Sequence, residues 1–74
     1  MVTPPTTRTV AERVRSAMVD KGQTAKSLAE AAGIPRTTLA RRLTGNSSFT
    51  LNELDAIAPL LGLTAAHLLA DEAA

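Results

Sequence analysis

Apolar residues recur along most of the 74-residue chain at helical spacing. Val10, Val14, Ala17 and Met18 stand at i, i+4, i+7 and i+8, one face of a helix that Gly22 ends. Thr9-Val10-Ala11-Glu12 in front of it reads as a capping box, the threonine oxygen accepting from the Glu12 N–H while the carboxylate reaches back to the Thr9 N–H. Leu28, Ala29 and Ala32 share a face of a second helix of about eight residues, capped by Thr24 and stopped by Gly33. Ile34 plugs the turn. Pro35, whose missing N–H would have no partner at a helix start, opens a third helix that runs to about Thr44. Leu39 and Leu43 face inward there and Gly45 closes it. Its other faces hold Arg36, Thr37, Thr38, Ala40, Arg41 and Arg42.

Asn46-Ser47-Ser48 is a polar loop, and Thr50-Leu51-Asn52-Glu53 after it is a second capping box. Phe49 before the cap is placed to pack on Leu54 as a hydrophobic staple. Leu54, Ile57, Ala58 and Leu61 form the buried stripe of this fourth helix and Gly62 ends it. Pro59 falls inside the pattern, where it removes a hydrogen bond and clashes one turn back, so a kink or an early finish is expected there. Thr64 caps a fifth, short helix with Leu68 and Leu69 turned inward. Residues 1–8, with Pro4, Pro5 and little to pack, are expected to be a flexible arm, residues 9–70 the folded domain and residues 71–74 a frayed acidic tail.

Composition agrees with an all-α fold. Of all residues 45% are hydrophobic, nearly all Ala, Leu, Val and Ile, with one Phe and no Trp or Tyr, a set that favours helices over strands. With no cysteine and one histidine, neither a disulfide nor a structural metal staples the chain, and the apolar core must suffice. No apolar run approaches a membrane span and no secretion signal is visible, so a cytoplasmic location is expected. The net charge of +1 points to no partner, but its distribution does. Residues 1–52 carry all eight Lys and Arg with three acids, a net of +5, and residues 53–74 carry four acids and no Lys or Arg, a net of −4. One part of the molecule is suited to an anionic partner.

Residues 22–45 distinguish the chain from an ordinary helical bundle. A capped short helix, a glycine, an apolar residue and a second short helix with a basic, hydroxyl-rich outer face make up the helix-turn-helix signature, whose second helix fits the major groove of DNA. Small residues are needed where the two helices touch, and Ala29 and Gly33 supply them.

In these residues the chain resembles the Cro/phage-repressor (Xre-like, lambda-repressor-like) helix-turn-helix family. The resemblance runs from Val10 to Leu69 and rests on Thr24, Leu28-Ala29, Gly33-Ile34, Arg36-Thr37-Thr38-Leu39 and Gly45. Phe49-Thr50-Leu51 before helix four and Leu60-Leu61-Gly62-Leu63 after it complete the match. It implies a compact five-helix domain that binds double-stranded DNA, a phage or bacterial transcriptional repressor that occupies its operator. It also implies roles: Arg36, Thr37, Ala40 and Arg41 on base edges, and Thr24, Lys26, Thr38, Arg42, Thr44, Asn46, Ser47 and Ser48 on phosphates. Two positions depart from the family. Ala25 stands where a phosphate-contacting glutamine is common, with Gln23 near but not equivalent, and Pro35 stands where a serine often caps helix three.

Plainer readings apply to several of these residues. Arg41 and Arg42 also suit a solvated face near a helix C-terminus, where the dipole favours cations. Arg36, in the first turn, is disfavoured by the same dipole and calls for another reason to be there. Asn46, Ser47 and Ser48 also suit a simple turn. His67 has no second ligand or acid partner, and no nucleophile–base pair or glycine-rich phosphate loop is present, so neither an enzyme nor a cofactor is expected. Specificity calls for a homodimer on palindromic half-sites or a longer protein. Ala66, Leu68 and Leu69 suit a dimer contact, although core packing explains the leucines equally. A protein-interaction module on the same fold, and an architectural or recombination-directionality DNA-binding factor, are the alternatives.

Overall fold

Among the described residues five α-helices follow one another in the predicted order: α1 Thr7–Lys21, α2 Ala25–Ala32, α3 Arg36–Leu43, α4 Leu51–Ile57 and α5 Ala65–Leu68. The computed structural model describes residues 6–70 and the backbone of residues 2–3 and 72–73. Val2–Thr3 and Glu72–Ala73 form a two-residue antiparallel ladder, Val2 opposite Ala73 and Thr3 opposite Glu72. Met1, Pro4 and Pro5 of the expected arm, and Asp71 and Ala74 of the expected tail, lie outside the described residues.

The start of α1 corrects the expected box at Thr9. The N-cap is Thr6, whose Oγ1 accepts from the Thr9 N–H at 3.1 Å, and Val10 N–H bonds the Thr6 carbonyl at 3.0 Å. Thr7 and Arg8, expected in the arm, are therefore helical. The earlier start gains hydrogen bonds of its own and brings Thr7 Oγ1 within 2.7 Å of Ser48 Oγ, contacts that a cap at Thr9 would forgo. Glu12 is left exposed on the surface of α1.

Pro59 ends α4 early, as its chemistry requires. It has no N–H to continue the ladder, so the chain tightens into a 3-10 turn, Pro59–Leu61. Leu61 N–H bonds the Ala58 carbonyl at 3.0 Å and Gly62 N–H the Pro59 carbonyl at 3.2 Å. The Thr50 box holds α4 at its other end, with Glu53 N–H on Thr50 Oγ1 at 3.1 Å and Thr50 N–H on Glu53 Oε1 at 2.8 Å.

The core lies where all the helices converge. Val14, Leu28, Leu39, Leu54, Ile57, Leu61 and Leu68 are each less than 2% exposed, and each such side chain contributes about 1.5–3 kcal/mol by leaving water. Ile34, Phe49, Leu63 and Leu69 close the cluster as half-buried neighbours. Among the described residues no buried side-chain polar atom lacks a partner. Two arginines of α1 finish the seams. Arg13 Nη1 donates to the carbonyls of Leu68 at 3.0 Å and Ala70 at 2.6 Å, at the end of α5, and Arg15 Nη1 donates to the Leu43 carbonyl at the end of α3. Carbonyls in the last turn of a helix have no intrahelical partner and attract cations.

Candidate nucleic-acid interface

The turn between α2 and α3 sets the site. Gly33 has φ +71° and its N–H bonds the Ala29 carbonyl, so the chain leaves α2 through a left-handed residue. No atom within 4 Å would meet a Cβ there, so backbone conformation and not space requires the glycine. Ile34 N–H also returns to the Ala29 carbonyl, at 3.0 Å, and its side chain packs on the core. Pro35, with φ −56° and ψ 135°, is the N-cap of α3 and not its first helical residue as expected. Its extended ψ keeps it outside the helix while its carbonyl accepts from Leu39 N–H at 3.0 Å. No side chain caps α3.

Burial of Leu39 and Leu43 fixes the rotation of α3 about its axis. Arg36, Thr37, Ala40 and Arg41 are then all exposed, spread over roughly 140° of the helix circumference at 3.6 residues per turn. Among the described residues neither Arg36 nor Arg41 has an ion pair or side-chain hydrogen bond within the protein. The four residues expected on base edges thus form one continuous outer stripe.

The residues expected on phosphates divide into three groups. Thr24 and Lys26 lie at the start of α2, both exposed. Thr24 Oγ1 already accepts from Ser27 N–H at 3.0 Å, and Ser27 Oγ accepts from Thr24 N–H at 3.0 Å and donates to Gln23 Oε1 at 2.7 Å. Sequence reasoning missed this second half of the cap because a capping box is ordinarily closed by Glu or Gln at that position, where this chain has Ser27. Thr44, Asn46, Ser47 and Ser48 follow α3 in a loop where Gly45 has φ +83°. Thr44 Oγ1 donates to the Arg41 carbonyl at 2.9 Å, Ser48 is held by Thr7, and Asn46 is exposed.

Thr38 and Arg42 stand apart, half-buried on the flanks of α3. Arg42 is engaged inside the protein: its Nε donates to Glu53 Oε1 at 3.0 Å and its Nη2 to Glu53 Oε2 at 3.4 Å. Glu53 is the same residue that completes the α4 capping box, so this pair ties the end of α3 to the start of α4. Burial by itself would raise the Glu53 carboxyl, but the bonds from Arg42 and from the Thr50 N–H outweigh it and hold the group below its ordinary value of 4.5. His67 is exposed and its N–H donates to Thr64 Oγ1. Among the described residues no cluster of His, Cys, Asp and Glu is placed to hold a metal ion, and no helix is long and apolar enough to cross a membrane.

A family model described as the Cro/C1-type HTH DNA-binding domain matches residues 13–74. Among curated proteins none matches the sequence. The fold is similar to that of the clp gene regulator ClgR from Corynebacterium glutamicum, with a TM-score of 0.77, 26% identity and coverage of 84% of this chain and 66% of that one. It is also similar to the hypothetical transcription factor NHTF from Neisseria, with a TM-score of 0.78, 27% identity and coverage of 85% and 72%. A chain of the SinR protein/SinI protein complex shares the fold at a TM-score of 0.78 and 21% identity, with coverage of 82% and 60%. This chain spans less than two thirds of the length of the ClgR and SinR/SinI chains it matches.

Proposed function

This chain belongs to the Cro/C1-type helix-turn-helix DNA-binding domain family, and on that premise we propose that it reads a specific double-stranded sequence through α3 and represses transcription by occupying an operator. The observation that carries this reading is the outer stripe of α3. Arg36 sits in the first helical turn, where the dipole disfavours a cation, it has no acid beside it in that turn, and it is fully available to a ligand. An arginine there reaches the two major-groove acceptors of guanine bidentately, and Thr37 can hydrogen-bond a base or pack its methyl on thymine. Ala40 lets the helix approach closely, and Arg41 extends the reading one turn on. Thr24, Lys26, Thr38, Thr44, Asn46, Ser47 and Ser48 position the helix on the phosphates. Arg42 contributes by holding α4 through Glu53 and so shaping the loop between them.

One domain carries a single recognition helix of eight residues, and the half-sites that such helices read lie about 34–36 Å apart on one face of DNA. Two copies on a palindrome therefore supply the base contacts that a single domain lacks. The reading is tested by selecting bound duplexes from a random library at about 50 and 200 mM salt. The expected result is an enriched inverted repeat with half-site centres about 10–10.5 base pairs apart. Failure to bind any duplex at low salt would overturn DNA binding, and partners captured after nuclease treatment would then favour a protein-interaction module. Binding without sequence preference, with bending of the duplex, would replace the repressor by an architectural factor.

A further inference from the structure

Resting on the DNA-binding reading above, we propose that Arg8 is a phosphate-contacting residue, the cation of a ledge formed jointly by the first turn of α1 and the loop after α3. In residues 44–48 the Thr44 hydroxyl and the N–H groups of Thr44 and Gly45 are spent on carbonyls of α3, which leaves the Asn46 amide, the serine hydroxyls and the N–H groups of residues 46–48, with no cation of their own. The first turn of α1 lies directly against them. A Cβ placed on Gly45 would stand 3.6 Å from Arg8 Cα and 3.9 Å from Arg8 Cβ, and the neighbouring Thr7 Oγ1 is 2.7 Å from Ser48 Oγ. Two turns further along the same side of α1, Arg15 meets the Leu43 carbonyl, so this side of α1 follows the end of α3 into the loop.

Arg8 differs from the other arginines in that seam. Arg13, Arg15 and Arg42 each end on carbonyls or on Glu53, while Arg8 is exposed and, among the described residues, its side chain makes no hydrogen bond or ion pair. Glu12 lies four residues on along the same helix, but no ion pair joins the two among the described residues, and the first turn itself has no acidic residue to offset the dipole. What is close to Arg8 is a loop of hydrogen-bond donors, and an arginine beside such a loop is suited to the phosphate that the loop would hold.

Lys21 provides a matched control. It has the same charge at the opposite end of the same helix, where its Cε and Nζ lie 3.1 and 3.3 Å from a Cβ placed on Gly62, away from α3. The experiment measures duplex affinity against salt for the unaltered chain, Arg8→Gln, Arg8→Lys and Lys21→Gln, with a thermal melt of each. Arg8→Gln is expected to reduce the slope of log affinity against log salt by about 0.9, one phosphate contact, so that its loss of affinity between about 50 and 200 mM salt is roughly three- to fourfold smaller. Arg8→Lys keeps the slope and Lys21→Gln leaves it unchanged. An unaltered slope in Arg8→Gln, or an equal fall in Lys21→Gln, overturns the assignment. So does a clear drop in melting temperature for Arg8→Gln, which would make Arg8 a structural cation like Arg15. If the unaltered chain binds no duplex, the DNA-binding reading fails and takes this assignment with it; if it binds and only the Arg8 result disagrees, the assignment alone fails.

Discussion

On α1, Arg13 and Arg15 reach main-chain carbonyls at the ends of α5 and α3, whereas on α3 Arg36 and Arg41 reach nothing within the described residues. The residue type is the same, the helices are both amphipathic, and the two pairs are spaced by a few residues in each case. Their surroundings make the difference. The α1 arginines overlook the unsatisfied last turns of two other helices, so a cation there completes the fold. The α3 arginines look outward because Leu39 and Leu43 take the inner face, so a cation there stays free for a partner. A basic residue on a helix in this molecule therefore has to be sorted by what lies within reach of its guanidinium, and Arg42, paired with Glu53, falls with the first group.

The widest separation is between the inner and outer sides of α3 itself. Leu39→Ala is expected to cost about 2–5 kcal/mol of folding stability, a large share of the roughly 4–11 kcal/mol typical of a chain this size. A urea titration followed by circular dichroism would show the midpoint fall, and DNA binding would be lost with the helices. Arg36→Ala, three residues away, should leave that midpoint nearly unchanged. Its effect belongs to binding: about 1–3 kcal/mol on the preferred site and relaxed preference at about one base pair. Equal losses on every sequence would remove Arg36 from the base readers and make α3 a phosphate-binding surface.

Much of this division is legible in the sequence itself. The Thr50 box, the Gly33 stop, the Pro59 interruption and the inward leucines of α3 are local signals, each carried by a few adjacent residues, and each produces the expected backbone. The start of α1 was misread for the complementary reason. Thr6 and Thr9 are both plausible caps by local chemistry, and the contact that accompanies the earlier start, Thr7 with Ser48, spans 41 residues. The same distance hid the role of Arg15, whose acceptor lies 28 residues away, and of Arg42, whose partner Glu53 was already accounted for as a capping residue. Sequence spacing put Leu39 and Leu43 inward, and their burial is what leaves Arg36, Thr37, Ala40 and Arg41 exposed. It had no means of sorting the arginines around that stripe.

Arg15→Ala tests that sorting with a smaller effect. Removing a charge-assisted bond to the end of α3 is expected to lower stability by about 1 kcal/mol, read as a shift in the urea midpoint, with DNA affinity of the folded fraction unchanged. The opposite result, weaker binding at constant stability, would place α1 in the interface and dissolve the distinction between the two sets of arginines.

The smallest expected effect concerns the Arg42–Glu53 pair and appears only in acid. Because the folded protein holds the Glu53 carboxyl below its ordinary 4.5, the folded state binds the proton less readily than the unfolded chain. The stability this contributes is complete above about 4.5 and is lost as pH falls through the lowered folded value. Glu53→Gln keeps an oxygen for the Thr50 N–H but removes the charge, so the variant should be less stable than the parent near pH 6, by well under the cost of Leu39→Ala. The gap between the two should narrow steadily below pH 4.5 as the parent's carboxylate is neutralised. Urea midpoints of both proteins at about pH 6 and pH 3 measure the change. A gap that stays constant across that range would mean that Glu53 acts only as a neutral cap and that Arg42 is, after all, free to meet a phosphate.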